Sequence, residues 1–257
     1  MEKGSVQSLD RAFQLLELLC KSPKGMTIQQ LSQITSLHKS TVHRLLNSMA
    51  ERGYVRRTGD AIYRAGMRIC ELGEYVQENL DVVSLAQGPM ERLSRRTEET
   101  VHLVERDNDE IVYIYKVESI HQAIRMVSRI GMRRPLYCTA IGKAMLAGDT
   151  DDAICQYWDH LTPQAYTDQT IVRKDAFLRE IQKIRHQGFA MDNEENELGV
   201  RCIAAAIADW RGRVCYALSI SAPISRMSDS RVEKLIPLLL QTREEIAFFL
   251  GTTPTEG

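Results

Sequence analysis

Apolar side chains recur at helical spacing through the first fifty residues. Leu9, Phe13, Leu16, Leu19 and Cys20 fall on one face of a segment spanning residues 5–22. The Ser22-Pro23 step predicts its end, because proline disfavours helical geometry in the residue before it. A shorter stripe follows at Ile28, Leu31 and Ile34, opened by Thr27 with Gln30 three residues later, which is capping-box spacing. A third stripe runs through Val42, Leu45, Leu46 and Met49, at i, i+3, i+4 and i+7. The period then drops to two. The runs "YVRR" and "AIYRA" flank "TGD", which predicts a hairpin with Gly59 supplying a positive φ.

Burying the third stripe turns Lys39, Ser40, Thr41, His43, Arg44 and Asn47 outward, with no acid among them. A short helix, a brief turn and a helix with small and cationic residues near its start form the helix-turn-helix pattern. Small Ser and Thr let a backbone approach the major groove, and Arg and His supply donors to phosphates or guanine edges. The hairpin reads as a wing whose Arg56, Arg57 and Arg64 form a phosphate-facing edge. Residues 1–66 hold ten Lys/Arg against five Asp/Glu, while the rest of the chain carries six more negative than positive charges. A basic head on an acidic body predicts that the head alone meets a polyanion, double-stranded DNA.

Residues 67–85 read as a linker helix with Ile69, Leu72, Tyr75 and Val76 on one face; Gly88-Pro89 then marks a break. Beyond it, "TVHLVERD" and "EIVYIYKVE" are β-rich and joined by "NDE", a predicted hairpin, with "AIRMVSR" as a third strand. "TAIGKAMLAGD" predicts a short helix, and "DAFLREIQKIRHQG" an amphipathic one closed by Gly188. "RCIAAAIAD" and "VCYALSISA" predict a second hairpin, and a last helix begins near Ser228 with Val232, Leu235, Ile236, Leu239, Ile246 and Phe249 inward. The expected class is α+β, with one sheet covered by helices. Expected boundaries are 1–66, 67–85 and 86–257. Ser219 and Ser221, two apart, share a strand face, and with Asp192 and Cys202 they suggest a polar pocket as readily as a solvent-facing side.

Composition narrows the chemistry further. The six cysteines form no C-x-x-C pair, so neither a zinc site nor a disulfide framework is expected. No nucleophile elbow, H-E-x-x-H, Walker loop or G-x-G-x-x-G occurs, so no catalytic residues, cofactor or enzyme are expected. The N-terminus lacks a signal-peptide core and no apolar run reaches membrane-spanning length, which predicts a cytoplasmic protein with no membrane partner. Three rival functions are a sugar-acid enzyme with a DNA-binding head, a metal sensor using Asp192, Cys202 and a histidine such as His102, and an oxidation sensor at Cys202. No spacing supports the first two. Strand alternation aims Arg201 away from the Cys202 thiol, against the third.

"SVQSLDRAFQLLELL", "TIQQLSQITSLHKSTVHRLLNSMAERGYV", "TAIGKAMLA" and "DNEENELGVRCIAAAI" resemble the IclR family of bacterial transcriptional regulators, from Ser5 to about Leu250. "IRMVSRIGMRRPLYCTAIGKAML" is most similar to the branch that includes the 2-keto-3-deoxygluconate repressor, whose members sense sugar acids and keto-acids. The resemblance implies an N-terminal winged helix-turn-helix domain, a linker helix and a C-terminal GAF-like effector-binding domain. It also implies a homodimer or dimer of dimers on a palindromic operator, acting as a repressor more often than an activator. DNA contacts would come from Thr27, Lys39, Ser40, Thr41, His43, Arg44, Asn47, Arg56 and Arg57. Carried over by position, the effector pocket falls on Met126, Ala140, Ile141, Asp192, Cys202, Ser219 and Ser221. The helix start after Thr139 and the serine hydroxyls would take a carboxylate. Ala140-Ile141 stands where some glyoxylate- or pyruvate-sensing members have Gly-Ala, which argues against the smallest keto-acids. Asp192, an awkward neighbour for an acid, would accept from ligand hydroxyls.

Overall fold

The computed structural model describes residues 6–59, 61–78, 80–119 and 127–252, the side chains of 76–78 excepted. The chain divides into two compact units, Met1–Leu80 and Asp81–Gly257. The expected linker stretch spans this division: helix α4 (Arg68–Glu78) lies before it and α5 (Val82–Thr97) after it.

In the first unit, α1 (Gln7–Cys20), α2 (Ile28–Thr35) and α3 (Lys39–Glu51) precede a hairpin of β2 (Val55–Thr58) and β3 (Ile62–Ala65). A two-residue strand β1 (Met26–Thr27) pairs antiparallel with β3, giving sheet order β1-β3-β2. Leu15, Leu19, Leu31, Val42, Leu46, Val55 and Tyr63 form the core, with Leu45 and Met49 packed on it. The apolar stripes of α1 and α2 sit differently from expectation. Leu9, Phe13 and Ile34 are about half exposed, and Cys20 is exposed. Leu15 and Leu19 are buried and Leu16 and Leu18 partly so, which turns the covered face of the helix away from Leu9, Phe13 and Cys20. The capping box at Thr27 and Gln30 forms as predicted. In the hairpin, Ala61 rather than Gly59 takes the positive φ, 57°.

The second unit is built on a six-stranded antiparallel sheet, order β6-β5-β4-β9-β8-β7. Its strands are β4 (Thr100–Asp107), β5 (Glu110–Val117), β6 (Arg133–Pro135), β7 (Ala190–Asn193), β8 (Val200–Ala208) and β9 (Val214–Pro223). On one face α5 and α9 (Asp229–Phe249) bury Val101, Leu103, Ile203, Ala205, Leu218 and Ile220. On the other, α6 (Ala140–Leu146), α7 (Asp151–His160) and α8 (Lys174–Gln187) cover Val104, Ile111, Ala204 and Ala217. Both hairpins form, Gly188 closes α8 in the left-handed region as expected, and α9 turns Val232, Leu235, Leu239 and Ile246 inward. Phe249 does not follow that face; it is 45% exposed between the buried Ala247 and Leu250.

Several expectations fail for physical reasons. The predicted break at Gly88-Pro89 is absent, and Pro89 lies inside α5. Burial of Val82, Ala86, Pro89, Met90 and Leu93 on one face offsets the lost hydrogen bond, and the helix instead starts at Asp81, whose carboxylate accepts from Val83 and Ser84 N–H. Of the predicted strand at 123–129, residues 123–126 lie outside the described residues, and 127–129 are not strand. Strands β6 and β7 and helix α7 went unpredicted; β6 and β7 are three- and four-residue edges, too short for a period to show.

Gly142 lets α6 lie directly on the chain before it. A Cβ there would come within 2.2 Å of Leu136 O and 2.3 Å of Leu136 Cα. Gly142→Ala should therefore destabilise the second unit by about 1–3 kcal/mol despite alanine's better helix propensity. Denaturant unfolding measures it; a variant as stable as the parent would show that α6 can move outward freely.

Candidate functional site

In the first unit, α2 ends at Ser36 in the left-handed region, and Leu37 and His38 complete the turn into α3. Ser32 Oγ donates to Leu37 O at 2.6 Å and holds that turn closed. Lys39, Ser40, His43, Arg44 and Asn47 are exposed along the outer face of α3, and Thr41 is half-buried. His43 Nε2 and Asn47 Nδ2 stand 3.5 Å apart, a weak contact that leaves both free to turn outward. Among the described residues, Lys39, Arg44, Arg56 and Arg57 form no ion pair; the pair in this unit joins Arg68 to Glu71. Thr27 is engaged elsewhere, its hydroxyl accepting the Gln30 N–H at the start of α2. The three wing arginines do not share an edge. Arg56 lies opposite Arg64, whereas Arg57 lies opposite the buried Tyr63, because strand side chains alternate faces.

The second unit contains a cavity with about 50 Å³ open to the centres of water-sized molecules. Its floor follows from register. Asp192, Cys202, Ser221 and Thr100 are partners across β7, β8, β9 and β4. The row two residues along runs Ala204, Ser219, His102 and Lys116. Paired residues point to the same face, so these side chains rise together beneath α6. Ser219 and Ser221 are buried, which rejects the solvent-facing alternative. Ala140, Ile141, Asp192, Cys202, Ser219 and Ser221 all line this one cavity. Met126 lies outside the described residues. The cavity also gathers Arg134 from one sheet edge and Asp192 from the other, so the sheet curls around it.

Tyr113, Ser128, Arg134 and Asn196, not expected from sequence, share the lining, as does His102, which the sequence offered only as a metal ligand. His102 is the hub. Its Nδ1 stands 3.3 Å from Ser219 Oγ and 3.4 Å from Ser221 Oγ, and its Nε2 2.7 Å from Ser128 Oγ. Tyr113 meets the imidazole edge-on at 5.0 Å. Only the alternation of "TVHLV" could have placed His102 on the serine face, and the partner strand was not specified by sequence. The short α6 offers less than expected at its start, since Thr139 Oγ1 already accepts the Gly142 N–H at 3.0 Å.

Protonation states follow from burial. Burial, with the charge of Glu195 next, pushes the Asp192 carboxyl up to about 7. Its Oδ1 accepts N–H groups from Glu195 at 2.7 Å and Asn196 at 3.4 Å, so the carboxyl braces the loop after β7. Burial, aided by Lys116, pulls His102 down to about 3, which makes it a neutral hydrogen-bonding group and a weak base despite its serine neighbours. Burial and Asp192 raise the Cys202 thiol, so it stays protonated. Arg201 points to the opposite face, donating to Met227 O and pairing with Asp229, each at 2.7 Å. No group of three His, Cys, Asp or Glu among the described residues is placed to hold a metal ion.

Residues 8–59 match the IclR helix-turn-helix domain, and residues 74–248 match the bacterial transcriptional regulator IclR C-terminal domain. The chain is 39% identical to the HTH-type transcriptional regulator KdgR of Escherichia coli (strain K12), over 97% of this chain and 95% of that one. It is 38% identical to the DNA-binding transcriptional repressor YiaJ of the same organism, over 96% and 89%. Among solved structures, the Agobacterium tumefaciens repressor BlcR superposes with a TM-score of 0.79 at 28% identity, covering 97% of this chain and 99% of that chain.

The raised Asp192 carboxyl sets a pH dependence. Its ordinary value is 3.8, so between there and about 7 the folded chain holds a proton that the unfolded chain releases. Stability from this group is full below that window and is lost as pH rises through 7. Asp192→Asn keeps an oxygen for the Glu195 and Asn196 N–H groups but cannot ionise. Relative to the parent, it should gain on the order of 1–4 kcal/mol between pH 4 and pH 8. Unfolding curves for both proteins that run parallel across this range would contradict the assignment.

Proposed function

The chain belongs to the IclR family of bacterial transcriptional regulators, and from that premise we propose a repressor whose operator binding is altered by a small sugar acid or keto-acid. The protein is a DNA-binding regulator with its reading head in the first unit. Lys39, Ser40, Thr41, His43, Arg44 and Asn47 are the proposed major-groove and phosphate contacts, with Arg56, Arg57 and the α2 start at Thr27 completing the surface. Two copies on a palindromic operator, as a homodimer or a dimer of dimers, fit this geometry. The exposed Leu9 and Phe13 of α1 are apolar surface available to a second copy.

The observation that carries the ligand reading is the common cavity lined by Ala140, Ile141, Asp192, Cys202, Ser219 and Ser221. Its floor of neutral hydroxyl, imidazole and carboxyl groups suits a ligand rich in hydroxyl and carbonyl oxygens. The accessible space is a few water volumes. A five- or six-carbon acid therefore needs the mouth, at Val127, Ser128 and Met132, to yield on binding. Ligand entry that reshapes the pocket is what a regulatory domain requires, because an effector acts only through a difference in affinity between two conformations.

Two experiments test these assignments. Arg44→Ala should weaken binding to a selected operator by about 1–3 kcal/mol and narrow the gap between operator and random duplex. Equal binding to both DNAs before and after substitution would remove Arg44 as a readout residue. A thermal-shift series with 2-keto-3-deoxygluconate, xylonate, gluconate, glyoxylate and pyruvate addresses the pocket. At 100 times its Kd, a true ligand adds about 2.7 kcal/mol to the unit that binds it. The shift should vanish in Ser221→Ala; no shift with any of these acids would reject the ligand class.

A further inference from the structure

Two adjacent arginines on β6 face opposite ways and meet opposite fates. Arg133, opposite Val112, is exposed and shared between Asp107 and Glu110. Arg134, opposite the buried Ile111, lies on the α6 side of the sheet and lines the cavity. It is half-buried, its Nη1 donates only to the Arg133 carbonyl at 3.1 Å, and among the described residues it forms no ion pair. A partly desolvated guanidinium without a carboxylate is costly unless an anion completes it.

The rest of the lining cannot supply that charge. Burial, aided by the charge of Lys116, keeps His102 neutral, and among the described residues no lysine side chain lines the cavity itself. Asp192 and Glu197 are the acids that face it, Asp192 from β7 and Glu197 from the loop that follows. A carboxylate is repelled by Glu197 and by the ionised fraction of Asp192. Among the described lining residues the cation is Arg134, with Lys116 behind the lining, its Nζ donating to Ser128 O at 2.8 Å. Ligand hydroxyls, by contrast, can hydrogen-bond to Asp192 and the two serines.

Resting on the sugar-acid reading above, we propose that Arg134 grips the effector's carboxylate, leaving its hydroxyl and keto oxygens to the serine, histidine and Asp192 floor. This reverses the orientation expected from sequence, in which the α6 start and the serines would hold the carboxylate. Arg134 thereby sets specificity for acids over neutral polyols of the same shape. Its planar fork takes the two carboxylate oxygens together, which a lysine cannot do.

Isothermal titration with xylonate and gluconate, each beside its neutral amide, separates the possibilities. Arg134→Gln should weaken the acids about ten- to hundredfold, the scale of a lost charge-assisted pair, and should leave amide binding at the parent's value. Arg134→Lys should fall between, because it restores charge without the fork. Acid binding to the parent should weaken with added salt, and that dependence should flatten in Arg134→Gln. Ser221→Ala should weaken acid and amide alike. Parent-like acid affinity in Arg134→Gln, with Ser221→Ala still impaired, would overturn the role of Arg134 and leave the pocket standing. Equal losses of acid and amide in Arg134→Gln would reduce the residue to a structural support. Failure of the parent to bind any acid would bring down the sugar-acid reading itself, and this inference with it.

Discussion

The register of β4, β9 and β8 is the constraint on which the second unit depends. Partner pairs His102–Ser219 and Thr100–Ser221 alternate along the strands with Val101–Ile220 and Leu103–Leu218. The first set faces α6 and the cavity; the second is sealed under α5 and α9. Because side chains alternate with a period of two, a slip of one residue would drive His102 and both serines into the apolar layer and turn leucine and isoleucine into the cavity. Four buried hydrophobes per strand pair make that slip prohibitively costly at about 1.5–3 kcal/mol each. The polar pocket is thus specified by the apolar face behind it.

The side of the pocket away from the sheet is held by charge. Lys143 of α6 is completely buried and ion-paired with Glu195, and Glu180 lies 3.8 Å from its Nζ. The backbone N–H of Glu195 is bound by Asp192, whose carboxyl faces the cavity. Glu195 O also accepts from Thr170 Oγ1 at 2.6 Å. Pocket wall, loop and helix therefore form one connected network. Breaking one partner of such a buried pair costs about 3–5 kcal/mol, since the other charge is left uncompensated. A ligand hydroxyl that engages Asp192 acts on the same loop that carries Glu195, which links cavity occupancy to the seat of α6.

The reading head was legible in sequence because its signals are local. Capping at Thr27 and Gln30, the stripe of Val42, Leu45, Leu46 and Met49, and the cations between them all fall within one or two helical turns. The α1 stripe was misjudged because periodicity shows which residues share a face but not how much of that face a neighbour covers. The pocket was legible only in part. Ser219 and Ser221 gave a strand face and, with Asp192 and Cys202, suggested a pocket, and likeness to a family added Ala140 and Ile141. The hydrogen-bonding role of His102 and the place of Arg134 were not legible, because the first arises from a pairing 117 residues apart, with Ser219, and the second from a three-residue edge strand. Pro89 misled for a related reason, since burial can outweigh a lost backbone hydrogen bond and leaves no local sign.

The central claim is that one chain couples a small-acid pocket to operator binding. Thermodynamic linkage makes that claim measurable as a reciprocal effect: the acid must change operator affinity by the same factor by which operator changes acid affinity. The direct experiment measures operator Kd by fluorescence anisotropy with and without saturating acid, and acid Kd with and without saturating operator, on a palindrome selected from random duplexes. The account predicts two equal factors, each fivefold or more, corresponding to at least about 1 kcal/mol of coupling. An acid that binds the pocket tightly yet leaves operator affinity unchanged would contradict it.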